Sequence, residues 1–275
     1  MFGLPGFCAA ADSTLAVVDA GVQQSEDAPV ASSGFRFLPG DYLYFTFQIS
    51  GFGIQSEKRG EVRKISLSYD VRPEDTNGIP LTAPSSGSIE TELNAEDKNW
   101  SPKRRASFLI PSFIGAGDFH IHVVVKDAVA KSEATKDIPF HIGGLELQPA
   151  SAITTESFHF LRNENEDEPL EVAAYAPGDT VYARFEMVGF KTGRQNAYHL
   201  SYGITVLRPD GKPYLQEPKA AELADSSFYP AQYLPGDLTV TTSATSARGQ
   251  YVVIVTVRDL IANTSYETRK AFSIE

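Results

Sequence analysis

The stretch Leu38-Pro-Gly-Asp-Tyr-Leu-Tyr-Phe-Thr-Phe-Gln-Ile-Ser-Gly-Phe52 returns 138 residues later as Ala176-Pro-Gly-Asp-Thr-Val-Tyr-Ala-Arg-Phe-Glu-Met-Val-Gly-Phe190. Each copy is a Pro-Gly-Asp turn that feeds a strand and closes on Gly-Phe. Pro39 and Pro177 fix φ near the value the first turn position needs. Gly40 and Gly178 tolerate the positive φ that the next position often takes, and Asp41 and Asp179 are placed to bond their own backbone in an Asx-turn. In the strand that follows, Leu43, Phe45, Phe47 and Ile49 alternate with Tyr44, Thr46, Gln48 and Ser50. Val181, Ala183, Phe185 and Met187 alternate the same way in the second copy. Period two with one polar face predicts a half-buried antiparallel strand.

Two further blocks repeat in the same order. Gly117-Asp-Phe-His-Ile-His-Val-Val-Val-Lys-Asp127 lies over Gly249-Gln-Tyr-Val-Val-Ile-Val-Thr-Val-Arg-Asp259, an offset of 132 residues (Phe119 to Tyr251) that continues without a gap to Ile142 over Ile274. Between them, Leu67-Ser-Tyr69 lies over Leu200-Ser-Tyr202, each followed by an Arg-Pro pair and a Gly-x-Pro turn. Three matched blocks in one order point to a duplicated β domain. The expected division is residues 12–143 and 144–275, hinged at Gly143-Gly144. About seven strands per unit, separated by turn signals, give an all-β fold of two tandem immunoglobulin-like antiparallel β-sandwiches.

Composition sets outer bounds. The 275 residues are 42% hydrophobic and 21% charged, which is globular, and long enough for two cores. The formal net charge of −11 argues against a nucleic-acid partner and against docking on an anionic membrane. With Cys8 as the one cysteine, no internal disulfide is available. The absence of a long apolar run argues against membrane insertion through a helix. Residues 1–11 are apolar and end in Ala-Ala-Ala before Asp12, as the tail of a secretory signal does; they are expected to be a signal-peptide remnant. Phe7 stands where a lipid-modified Cys8 would need a small residue.

The second half carries Pro177-Gly-Asp-Thr-Val181, then Leu207-Arg-Pro-Asp-Gly211, then Gly249-Gln-Tyr-Val-Val-Ile-Val255. This order resembles the macroglobulin-like domains of the α2-macroglobulin superfamily and related bacterial immunoglobulin-like modules. The likeness covers both halves. It implies a scaffold or binding fragment. The thioester sequence of the full-length inhibitors, Cys-Gly-Glu-Gln, is absent, so no bait-and-trap mechanism is implied.

Candidate chemistry is sparse. His120 and His122 share one strand face, and His141 faces outward on the neighbouring strand; imidazoles so placed are candidate metal ligands. Their counterparts Val252, Ile254 and Ser273 show that the fold does not need them, and the competing reading is three solvated histidines. No Cys or carboxylate clearly completes the set. Residues 163–168 are acidic, but lack the spacing of a calcium loop, so a solvated loop is favoured. Trp100 stands beside Lys103, Arg104 and Arg105 in a polar excursion read as absent from the second domain. This group is the candidate ligand- or partner-binding site. The alternative is a Trp that plugs the end of the sandwich. No nucleophile elbow, zinc-protease helix or phosphate loop appears, so the reading is non-enzymatic and no cofactor is expected. These features imply a secreted or periplasmic protein for protein–protein contact or scaffolding at the cell envelope. A carbohydrate-binding module, or accessory domains of an envelope enzyme or sensor, are the alternatives. The expected partner is a protein or a glycan.

Overall fold

The computed structural model describes residues 14–56, 63–94, 97, 100–166 and 168–275. The expected signal remnant, with Cys8, lies outside the described residues, as do Lys98, Asn99 and Asp167. The chain divides into two compact units. The described residues up to Pro111, with Gly117–Gly143, form one; Ser112–Ala116 with Gly144–Glu275 form the other. Ser112–Ala116 thus falls inside residues 12–143 yet packs with the second unit, where the Phe113 carbonyl accepts from Gln232 N at 2.8 Å.

The first unit contains β1 (Ala16–Gln23), β2 (Arg36–Phe37), β3 (Tyr42–Ser50), β4 (Gln55–Ser56), β5 (Arg63–Asp75), β6 (Ser85–Leu93), β7 (Lys103–Leu109), β8 (Gly117–Asp127) and β9 (Ser132–Ile142). One sheet runs β1-β3-β7; the other runs β2-β9-β8-β5-β4, with β6 also on β5. The second unit contains β10 (Thr154–Leu161), β11 (Ala174–Tyr175), β12 (Thr180–Val188), β13 (Ala197–Leu207), β14 (Pro213–Ser226), β15 (Tyr233–Thr241), β16 (Gly249–Asp259) and β17 (Thr264–Ile274). Its sheets run β10-β12-β15 and β11-β17-β16-β13-β14. Each unit is an all-β sandwich with the same strand order. The pairing is antiparallel except for one short parallel pair per unit, β2 with β9 and β11 with β17. The one helical turn among the described residues is a 3-10 turn at Arg194–Asn196.

Each core is the set of inward residues that the alternation predicts. Leu43, Phe45, Phe47 and Ile49 are fully buried, as are Val181, Phe185 and Met187. Burying such a side chain stabilises by about 1.5–3 kcal/mol. The aromatic contacts repeat with the sequence. Phe119 stacks on Phe140 at 5.8 Å, and at the matched positions Tyr251 stacks on Phe272 at 5.3 Å. Across the two sheets, Phe47 meets Tyr69 edge-on at 5.6 Å, and Phe185 meets Tyr202 at 5.3 Å. Tyr202 and Tyr69 therefore join the sheets of their own units, and the Tyr202 hydroxyl donates to the Asp237 carbonyl at 2.7 Å.

The opening turn has the backbone its sequence requires. Gly40 has φ +87° and Gly178 has φ +96°. The aspartates act differently from an Asx-turn. Each carboxylate reaches back three residues, accepting from Leu38 N or Ala176 N at 2.8 Å. A Cβ at Gly178 would meet nothing closer than Ala244 at 3.8 Å, so substitution there costs backbone strain alone. Gly178→Val is expected to lower stability by about 1–3 kcal/mol. Thermal unfolding followed by circular dichroism checks this; an unchanged midpoint contradicts the turn assignment.

Candidate functional site

The outer face of the larger sheet in the first unit carries the histidines. Successive strand residues alternate faces, so Phe119, Ile121, Val123 and Val125 enter the core while His120 and His122 face out. The pairing of β5 with β8 sets Glu74 opposite His120 and Arg72 opposite His122. One ligand atom each from Glu74, His120 and His122 lies within 4.8 Å of the others. His120 Nε2 is 3.7 Å from Glu74 Oε2, and Arg72 Nη1 is 3.5 Å from Glu74 Oε1. Glu74 is buried, at 7% exposure. On the other side, β9 sets Asp137 opposite His122 and Asp118 opposite His141. Both pairs meet Nδ1 to Oδ1 at 2.6 Å.

The expected trio of histidines is thus divided. His141 is held by Asp118 and is not in the cluster; Glu74 takes the third place. The missing carboxylate was hidden by strand length. Period two is clear over residues 64–71, and Pro73 reads as the end of a strand. Pairing with β8 carries β5 through Pro73 to Asp75, and that extension brings Glu74 into register.

The Trp100 group sits on the other sheet. Trp100 is 39% exposed and meets Phe52 edge-on at 6.3 Å. Lys103, Arg104 and Arg105 begin β7, the outermost strand beside β3. Arg105 pairs with Glu26 at 3.3 Å and Asp27 at 3.5 Å, while Arg104 donates to the Lys103 carbonyl at 2.9 Å. A shallow groove of about 260 Å³ runs along this face past Gln23, Tyr44, Thr46, Arg105 and Ser107. The loop that holds Trp100 does have a counterpart. Residues 227–232 join β14 to β15 as residues 94–102 join β6 to β7, so the second unit's loop is three residues shorter rather than absent.

The acidic run is an exposed loop. Asn163 donates its side chain to Glu166 at 2.6 Å and accepts from Asn165 N at 3.0 Å, so it is closed partly on itself. The clearest perturbed carboxyl lies elsewhere. Burial raises the pKa of Glu186, on β12, above the ordinary range, with nearby His159 opposing the rise. Burial likewise pushes Tyr175 up to about 12, and its hydroxyl donates to the Leu161 carbonyl at 2.9 Å.

The repeat also conceals two buried aspartates that close each sandwich. Asp127 Oδ1 accepts from Val129 N at 2.8 Å and Ala130 N at 3.0 Å, and Oδ2 accepts from Gly53 N at 2.5 Å. Asp259 repeats the set with Ile261 N and Ala262 N at 2.9 Å and Lys191 N at 2.7 Å. Each ties a hairpin turn to the loop after the Gly-Phe closure. The signal was present in the aligned blocks, which both end in Asp.

No protein-family model matches the chain, and no curated protein matches it. Among solved structures, the C-terminal domain of the Streptococcus agalactiae AgI/II polypeptide BspA spans 92% of this chain and 99% of its own, at 11% identity and TM-score 0.31. The C-terminal domain of the Streptococcus pyogenes antigen I/II-family protein AspA spans 92% and 98%, at 12% identity and TM-score 0.30. Likeness of that degree assigns neither family nor activity. The resemblance to macroglobulin-like domains finds no match among these comparisons. No helix among the described residues is long and apolar enough to cross a membrane, which leaves β-barrels unaddressed.

Proposed function

We propose that the protein is a non-catalytic exported scaffold that makes protein–protein contact at the cell envelope, and that β7 with Trp100 is its contact edge. The observation that carries this reading is the position of Lys103, Arg104 and Arg105. They open the outermost strand of a sheet in a chain of net charge −11, next to a half-exposed Trp. An outermost strand offers backbone hydrogen bonds to an added strand. Cations along it favour an acidic segment, and an aromatic ring is the residue type that most often anchors an interface. The partner that fits is a protein with an extended acidic stretch.

The test is cross-linking of the full chain to envelope proteins, with cross-links mapped by mass spectrometry. The wild type should give cross-links on β7, and Lys103→Glu with Arg104→Glu should lower their yield about tenfold or more, since like charges across an interface cost several kcal/mol. Cross-links that map elsewhere and survive the charge reversal would contradict this edge. Because Trp100 is exposed, sugar stacking is the second reading. A glycan-array signal lost in Trp100→Ala would shift the function to carbohydrate binding.

A further inference from the structure

We infer that Glu74, His120 and His122 form a site for a borderline divalent transition-metal ion, with zinc as the reference. The argument starts from the burial of Glu74. A buried carboxylate is costly unless a cation or good hydrogen bonds compensate it. Its charged neighbours, Arg72 Nη1 and His120 Nε2, stand at 3.5 Å and 3.7 Å, longer than the roughly 2.7–2.9 Å of a strong charge-assisted hydrogen bond. Ligand atoms around tetrahedral zinc, with bonds of about 2.0–2.1 Å, sit about 3.3 Å apart. The 3.7 Å from His120 to Glu74 is close to that separation. The remaining spread of up to 4.8 Å closes by rotation of the partly exposed imidazoles, with no backbone shift.

The surroundings have the form of a metal site. Asp137 engages Nδ1 of His122, which fixes the ring and leaves Nε2 to ligate. Metal-bound histidines commonly donate their other nitrogen to a carboxylate, and that partner orients the ring. Arg72 engages Oε1 of Glu74, leaving Oε2 as a monodentate ligand on the side of His120. Two imidazoles and one carboxylate suit zinc, copper or nickel better than magnesium or calcium. The ligands lie on an outer sheet face, so the remaining coordination positions open to solvent, where water completes the shell. The counterpart positions Val252 and Ile254 cannot ligate, so the second unit serves as an internal blank.

The test is isothermal titration of zinc into the full chain, with cobalt(II) absorption as a second readout and circular dichroism to confirm that each variant is folded. The wild type should bind one ion per chain. His120→Ala and His122→Ala should each weaken binding by about 100-fold or more, and Asp137→Asn by about 10–100-fold. His141→Ala should leave affinity unchanged, because His141 is held by Asp118 outside the cluster. A wild type that takes up no zinc, or folded His120→Ala and His122→Ala variants that bind as the wild type does, would overturn the site. So would a loss in His141→Ala equal to that in His122→Ala.

Discussion

Asp259→Ala should lower the unfolding free energy by about 3–5 kcal/mol, the largest loss expected from any single carboxylate in the chain. Removing an acceptor leaves each buried donor with a desolvation cost of about 1–3 kcal/mol. Asp259 serves three backbone donors, Lys191, Ile261 and Ala262, and is 1% exposed. Water entering the vacated space offsets part of the loss, which holds the total below the simple sum. For a unit of this size the midpoint should fall by roughly 10 °C. Asp127→Ala should do the same to the first unit, because Asp127 serves Gly53, Val129 and Ala130 from a site 2% exposed. Thermal and urea unfolding of both variants checks this. A midpoint within a degree or two of wild type would mean that these carboxylates do not hold the loops.

Gly189→Ala should be nearly as damaging, at about 3–5 kcal/mol, by a different route. Gly189 has φ +70°, which an L-residue adopts only with strain of about 1–3 kcal/mol. A Cβ there would also lie 2.3 Å from the Ala152 carbonyl oxygen, and backbone cannot rotate aside as a side chain can. Overpacking of that kind adds about 1–3 kcal/mol. Gly178→Ala, which carries the strain without the collision, supplies the control. If the two variants lose equal stability, the close approach of the β12 end to Ala152 is wrong.

The repeat was legible because the features that define it are local. A Pro-Gly turn, a period-two strand and a Gly-Phe closure are each written in a few adjacent residues. Three features were not legible, each for a physical reason. β10 was missed because Ser157 takes φ +49° and shifts the register between Glu156 and His159, which breaks the alternation a strand is recognised by. The same bulge recurs in β1, where Asp19 has φ +46°. β14 was read as a short strand over residues 212–216, because Pro218, Lys219, Ala220 and Ala221 have poor strand propensity. Pairing with β13 out to Ser226 overrides that preference. Residues 79–81, read as a weak strand, contribute only an isolated bridge between Pro80 and Glu74.

The candidate sites divide along the same line. The histidine face was legible from spacing within one strand, whereas Glu74 and Asp137 enter from the strands on either side, and their registers follow from pairing that no local pattern encodes. Trp100 and its cations were legible as a composition anomaly. Their place on an outermost strand became visible only with the sheet order.

That one sandwich plan is used in both units is tested most directly by site-resolved amide hydrogen exchange on the intact chain. Slow amides in β8 and β9 should recur 132 residues later in β16 and β17, and the Gly53 and Lys191 amides should be protected at matched positions in the two loops. Protection confined to one half, or protected segments that do not superpose at that offset, would contradict the account.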